Sequence, residues 1–193
     1  RRRAHHRLPI RSTTNGVGRP SLAERRQQRE RQQRPHQDVA AVEHRWVAGV
    51  AATQKHAVDL QPGDLYWSTA DLGWLTGPIN TLGAWYWGAT MFTYEGEFDP
   101  ATWAGFLDEF PITVLFSVPT AYRMLRANEE VLAGKSLDLR HALSIGEPLS
   151  AGVVEWAEDA MGVTVHDTYG QTETGNMIIN NYPTMETRPG SMG

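Results

Sequence analysis

From about Glu43 onward, apolar and polar positions fall into two alternating rhythms. Residues 44–58 carry Trp46, Val47, Val50 and Ala51 at helical spacing. Residues 61–70 read as a turn and then a short strand with Leu65 and Trp67 on one side. Residues 77–88 are small and apolar and predict a buried helix ending at Gly88, and residues 89–96 predict a strand. Residues 99–110 predict a helix with Asp99 at the N-cap and Pro100 at the first helical position; Trp103, Phe106, Leu107 and Phe110 share one face. A buried strand is expected over 111–119, a helix over 120–132, and a strand over 139–146. A helix capped by Ser150 follows over 150–161, then a strand over 163–169. Strand and helix alternate, which predicts an α/β fold with a mostly parallel sheet flanked by helices. Ligands of such sheets sit beyond the carboxyl ends of the strands. Residues 68–77, 144–150 and 167–173 occupy such ends.

Composition divides the chain in two. Residues 1–40 hold eleven arginines against Glu24, Glu30 and Asp38, a balance of +8. Residues 41–193 balance at −12 and hold every aromatic residue, including all seven tryptophans. The first segment is therefore expected to be an Arg-rich stretch without a core, and the second a domain that builds one. Only Lys55 and Lys135 are lysines, and scarce lysine with surplus acid suggests a strongly hydrated, salt-adapted surface. The absence of cysteine excludes disulfides, thiolate metal sites and a cysteine nucleophile, and is compatible with a reducing cytoplasm. No apolar run approaches the ~18 residues of a membrane span. The basic start has no hydrophobic segment behind it, as a secretory signal would. A +8 arm has salt-dependent affinity for polyanions, but no aromatic interleaves it and no recognition fold adjoins it, so no nucleic-acid partner is expected.

The candidate chemistry lies in "SIGEPLS" and "HDTYGQTETG". Gly146 and Gly170 let a ligand approach the backbone. Glu147, Asp167, Gln171, Thr172 and Glu173 gather hydrogen-bonding and metal-binding capacity. A carboxylate beside a hydroxyl suits a Mg²⁺–phosphate group, with oxygen for the hard cation and a donor for a phosphate oxygen. The same residues are also compatible with an ordinary polar loop in which Thr172 caps a helix and Glu173 lies in its first turn. His44, His56, His141 and His166 show no metal-ligand spacing with one another and are expected at surface or core positions. The run Trp85–Gly88 reads as core or as an interface.

"YGQTETG" resembles a signature of the adenylate-forming synthetases, the superfamily of acyl-CoA synthetases, luciferases and peptide-synthetase adenylation domains. "GEPLS" resembles that family's adenine-contacting loop. From about Glu43 to Gly193 the chain is similar to the acetyl- and medium-chain acyl-CoA synthetase branch. The similarity runs through "DLYWSTADLGWLTG", "SVPTAYRML", "SIGEPLS", "YGQTETG" and "RPGSMG" in order. The resemblance implies a partial AMP-binding domain over 41–193, part of the large N-terminal domain of such an enzyme. It implies that Gly146, Glu147 and Pro148 line the adenine, and that Asp167, Thr168 and Tyr169, with Gly170 and Gln171, complete the nucleotide wall. Thr172 would bond phosphate oxygens and Glu173 would hold Mg²⁺. Trp74, Leu75, Thr76 and Ile145 would lie along the acyl chain, with Gly170 at the pocket's end. ATP, Mg²⁺ and coenzyme A would be required, and a small carboxylic acid would be activated. The acetate-specific branch has a tryptophan in place of Gly170, so an acid larger than acetate is expected.

The resemblance also implies parts that these residues do not include. One is a C-terminal domain bearing the adenylation lysine. The other is a Ser/Thr/Gly-rich phosphate loop upstream of "VEHRWV", where this chain has "RERQQRPHQ". Codons for Glu30 to Gln37 read one base later permit Ser-Gly-Ser-Ser-Gly-Arg-Thr-Lys, so the Arg-rich segment is expected to be either frame-shifted or a genuine disordered basic tail. A chain of this extent is expected to be catalytically incomplete. The alternatives are an amino-acid-activating adenylation domain and a non-catalytic nucleotide-binding remnant.

Overall fold

A computed structural model describes residues 43–193. The expectations for the Arg-rich segment and for the codons of residues 30–37 lie outside the described residues. The helices are α1 (Trp46–His56), α2 (Thr76–Trp87), α3 (Pro100–Glu109), α4 (Pro119–Ala127) and α5 (Ala151–Met161). The strands are β1 (Leu65–Ser68), β2 (Thr90–Phe92), β3 (Val114–Ser117), β4 (His141–Ile145), β5 (Val165–Gln171) and β6 (Asn176–Asn180). They form one sheet in the order β2-β1-β3-β4-β5-β6. The first five are parallel and β6 is antiparallel to β5. The order 2-1-3-4-5 is that of an open, doubly wound sheet, which places a ligand crevice at the carboxyl ends near the β1/β3 switch point.

Central strands of such a sheet are covered on both faces, and their sequences show it. All of "VLFS" in β3 and "HALSI" in β4 are buried. On one face Trp67, Leu115, Ala142 and Val165 pack with Trp103, Leu107, Tyr122, Leu125, Val154 and Trp156 from α3, α4 and α5. On the other, Tyr66, Val114, Phe116, Leu143 and Ile145 pack with Val58, Leu60, Ala84 and Met177. Each large side chain so buried contributes about 1.5–3 kcal/mol. α1 locks onto α2 through polar groups. Trp87 Nε1 donates to Ala51 O at 2.7 Å, and Gln54 Nε2 donates to Asn80 Oδ1 at 3.0 Å. A Cβ on Gly83 would lie 2.1 Å from Gln54 Cγ, so only glycine lets the two helices meet there.

The amino ends of the strands are held by charge. Arg140 Nε and Nη2 donate to both oxygens of Asp64, and Nη1 donates to Asp59 Oδ2 at 2.8 Å. Asp64 is buried and also accepts from Gln61 N and Thr113 Oγ1. Burial raises its pKa, but the bonds from Arg140, Gln61 and Thr113 outweigh that and hold it below the usual range.

Some local expectations hold and others change. The helix expected over 120–132 ends at Ala127, because Asn128 leaves helical dihedrals and bonds back to Met124 O through Nδ2; a 3₁₀ turn covers Glu129–Leu132. Asp99 caps α3 by accepting from Thr102 N at 2.7 Å. Ser150 occupies the N-cap of α5 without a side-chain cap bond. Trp85 and Tyr86 are exposed on α2 rather than in the core, and only Trp87 of that run is half-buried. β6 was not anticipated, because Thr172–Gly175 reads locally as a helix start and forms instead the turn of a hairpin.

Candidate functional site

The carboxyl ends of β1, β3, β4 and β5 open on one cavity of about 530 Å³. The loop after β1 supplies Thr69, Ala70, Asp71 and Trp74, and the start of α2 supplies Leu75, Thr76, Ile79 and Asn80. β3 supplies Phe116 and, just beyond its end, Val118; the end of β4 supplies Ile145, Gly146 and Glu147. The end of β5 supplies Gly170 and Gln171, followed by Thr172 of the turn and Met177 of β6. The walls are therefore apolar along Leu75, Ile79, Phe116, Val118, Ile145 and Met177, with polar groups at the rim. Asn80 is fully buried and polar within that wall. It is held there by Gln54 and by its own Nδ2 donating to Ser68 Oγ at 2.8 Å.

Of the residues singled out in the sequence, Trp74, Leu75, Thr76, Ile145, Gly146, Glu147, Gly170, Gln171 and Thr172 line this cavity together. Pro148, Asp167, Thr168, Tyr169 and Glu173 do not. Gly146 has φ +93°, a left-handed conformation that turns the chain out of β4 and leaves its backbone open to the cavity. Gly170 lies within β5, where the pairing with β6 slips between Tyr169 and Gly170, so it is a strand residue rather than a turn residue. The Thr120 hydroxyl donates one hydrogen shared between the two Glu147 carboxylate oxygens, at 2.7 and 2.9 Å, and Glu147 is ion-paired with Arg123. Those bonds, that from Thr120 first, hold its carboxyl below the usual range. They tie the Gly146 loop to the start of α4.

Asp167 and Thr168 act from behind the wall. Thr168 is buried and donates from Oγ1 to Ser144 O at 2.8 Å, strapping β5 to β4. Asp167 is buried and its carboxyl is pushed up by burial, although the N–H groups of Thr168 and Leu149 partly offset this. Tyr169 is half-buried.

Thr172 and Glu173 stand in the turn between β5 and β6, both exposed. Gly175 closes that turn, its N–H reaching the carbonyls of Gln171 and Thr172, each at 3.1 Å. Trp46 Nε1 of α1 donates to Gly175 O. The expectation of a helix capped by Thr172 is overturned by this hairpin. Among the described residues, no group of three or more His, Cys, Asp or Glu side chains is arranged to hold a metal ion. One exposed carboxylate beside a hydroxyl fits Mg²⁺, which keeps its waters and binds through one or two carboxylates plus a substrate's phosphates. His141 of β4 and His166 of β5 are buried side by side, ring centroids 4.7 Å apart and planes tilted by 52°. Burial lowers both, His141 to about 4, so both are neutral core residues at pH 7.

Sequence patterns missed Asn80, Ile79, Phe116, Val118 and Met177 as wall residues, and Trp46, Thr120 and Arg123 as supports. Each of these carries an ordinary helix or strand signal, and its role comes from contacts distant in the chain.

Residues 39–193 match the AMP-binding enzyme family. The chain is 44% identical over 144 residues to the acetyl-coenzyme A synthetase of Bacillus subtilis, with 73% of this chain and 25% of that protein covered. It is 37% identical over 147 residues to the human mitochondrial acyl-coenzyme A synthetase ACSM3, covering 75% of this chain and 25% of that protein. A crystal structure of a Brucella canis acyl-CoA synthetase superposes with a TM-score of 0.73 at 35% identity, covering 79% of this chain and 29% of that one. The chain thus spans about a quarter of the length of the curated relatives it matches.

Proposed function

The chain belongs to the AMP-binding enzyme family, and on that premise we propose that it is part of an acid–CoA ligase that forms AMP. In this reading residues 41–193 are a portion of the adenylation domain. The substrates are ATP, coenzyme A and a small carboxylic acid larger than acetate. The observation that carries the reading is the single cavity into which Trp74–Thr76, Ile145–Glu147 and Gly170–Thr172 converge. The acid's tail lies along Leu75, Ile79, Phe116 and Ile145, with Gly170 leaving room at the end. Adenine lies against Gly146, Glu147 and Pro148, with Asp167, Thr168 and Tyr169 shaping the wall beside it.

A carboxylate is a poor acyl donor, because its leaving group would be oxide. Attack of a carboxylate oxygen on the α-phosphorus of ATP forms a new P–O bond and expels pyrophosphate. The thiol sulfur of coenzyme A then attacks the acyl carbon, loses its proton and displaces AMP. Both steps need positioning and charge stabilisation more than a protein nucleophile. Here the apolar wall orients the acid and excludes water from its tail. The Gly146 backbone lets the nucleotide approach, and the Thr172 hydroxyl donates to a phosphate oxygen. Glu173 would hold Mg²⁺, which supplies charge neutralisation on the phosphates.

Exchange of labelled pyrophosphate into ATP, run on a full-length protein containing this chain with a panel of acids, tests the reading. Exchange is expected with straight or branched acids of medium length, and in each case is acid-dependent. Exchange driven by amino acids would point to an amino-acid-activating domain, and no exchange with nucleotide binding retained would point to a non-catalytic remnant.

A further inference from the structure

Trp46 opens α1, yet its indole reaches the turn after β5, 129 residues along the chain. The Nε1–H donates to the carbonyl of Gly175. Gly175 has φ +71°, and a Cβ there would lie 2.9 Å from both Cδ1 and Nε1 of the indole. No side chain fits between ring and backbone, so the indole lies directly against the last residue of the turn. Within the turn, Gly175 N–H bonds to the carbonyls of Gln171 and Thr172, and Thr174 Oγ1 donates to Gln171 O at 2.8 Å. A turn so bonded is a stiff unit, and a stiff unit takes its tilt from whatever holds its base. The sheet holds one side through β5 and β6, and Trp46 holds the closing glycine. Trp46 itself does not line the cavity, whereas Thr172 does.

We propose that Trp46 is a positioning residue that sets the height and tilt of the 172–175 turn, and through it the place of the Thr172 hydroxyl and the Glu173 carboxylate against a nucleotide's phosphates. The functional half of this rests on the function proposed above, while the clasp itself rests on the geometry. α1 becomes a strut of the site rather than a covering helix. The buried Gln54–Asn80 bond fixes the same helix to the acyl wall, so α1 supports both ends of the cavity.

The test uses a full-length protein containing this chain, with Mg·ATP as the probe. Trp46→Phe keeps an aromatic ring and removes the donor. It is expected to speed hydrogen exchange of the Gly175 amide about fivefold, the worth of one net hydrogen bond, and to weaken Mg·ATP binding by about the same factor. Amides of β3 and β4 should exchange as before. Trp46→His, which keeps a ring N–H, should recover part of the affinity, which a loss of packing alone would not allow. Wild-type exchange in the turn of Trp46→Phe overturns the clasp. Faster exchange with unchanged Mg·ATP affinity overturns its positioning role. A wild-type chain that binds no Mg·ATP removes the phosphate grip, and the functional half falls with it, while the exchange result still decides the clasp. Should the variant fail to fold, 5-fluorotryptophan labelling of the unaltered sequence decides instead. The Trp46 ¹⁹F resonance moves on adding Mg·ATP if the turn and indole are coupled, and a stationary resonance overturns the proposal.

Discussion

Gly146 and Gly170 do different work at neighbouring strand ends. Gly146 is glycine because the chain must turn at φ +93° out of β4. Gly170 is extended in β5, where any residue is conformationally tolerated, so its lack of a side chain matters for space in the cavity. Gly170→Trp in a full-length ligase containing this chain is expected to fill the end of the acyl wall. Specificity, measured as kcat/KM across a series of acids, should collapse toward acetate, with about tenfold or more lost for each methylene that no longer fits. An unchanged acid profile would place the acyl tail elsewhere. At this scale the sequence was most legible where chemistry is local. Glycine, hydroxyl and carboxylate at fixed offsets marked loops that the structure brings to one cavity. Asn80 was not legible, because a buried amide in an apolar helix has no local mark and is explained only by Gln54 and Ser68 beside it.

Among elements, the strand–helix alternation foretold β1 to β5 and α1 to α5, since a parallel sheet covered on both faces demands continuous apolar strands. The hairpin to β6 was not foretold, because "QTETG" satisfies the signals of a helix start as well as those of a turn. The antiparallel pairing of β6 with β5 settles it as a hairpin. Two predictions belong to the junctions between strands. Arg140→Met strands the buried Asp64 carboxylate at the amino ends of β1 and β3 and should cost about 3 kcal/mol or more in urea unfolding. Adding Asp64→Leu should recover much of that loss, since the two changes act on one pair. The buried His141–His166 pair spans β4 and β5 and makes stability depend on pH. At pH 7 both rings are neutral in either state, and the full stability is present. As the pH falls below 6.5 the unfolded chain binds protons that the folded one refuses, until folded His141 titrates at about 4. His141 alone should then take away about 3 kcal/mol across that window, with His166 adding in the same direction. His141→Gln should flatten the dependence, and a wild-type stability that is constant over the window would refute the buried neutral pair.

For the molecule as a whole, charge and topology separate roles by end. Arg140, Asp59 and Asp64 hold the amino ends of the sheet, while the carboxyl ends carry the cavity, its glycines and the Thr172–Glu173 turn. No helix among the described residues is long and apolar enough to cross a membrane. Exposed Trp74 lines the cavity, and exposed Trp85 and Tyr86 stand on α2. The sequence conveyed this polarity, because loops at carboxyl ends of parallel strands collect the polar and glycine positions. It did not convey that one cavity joins four of those ends. The most direct check is amide chemical-shift mapping of the 193-residue chain with a non-hydrolysable acyl-sulfamate analogue of an acyl-adenylate. The predicted result is a set of shifts concentrated at residues 69–80, 145–149 and 167–177, saturating together with one affinity. Shifts confined to other surfaces, or none at saturating analogue, would contradict the assignment of this cavity to an acyl-adenylate.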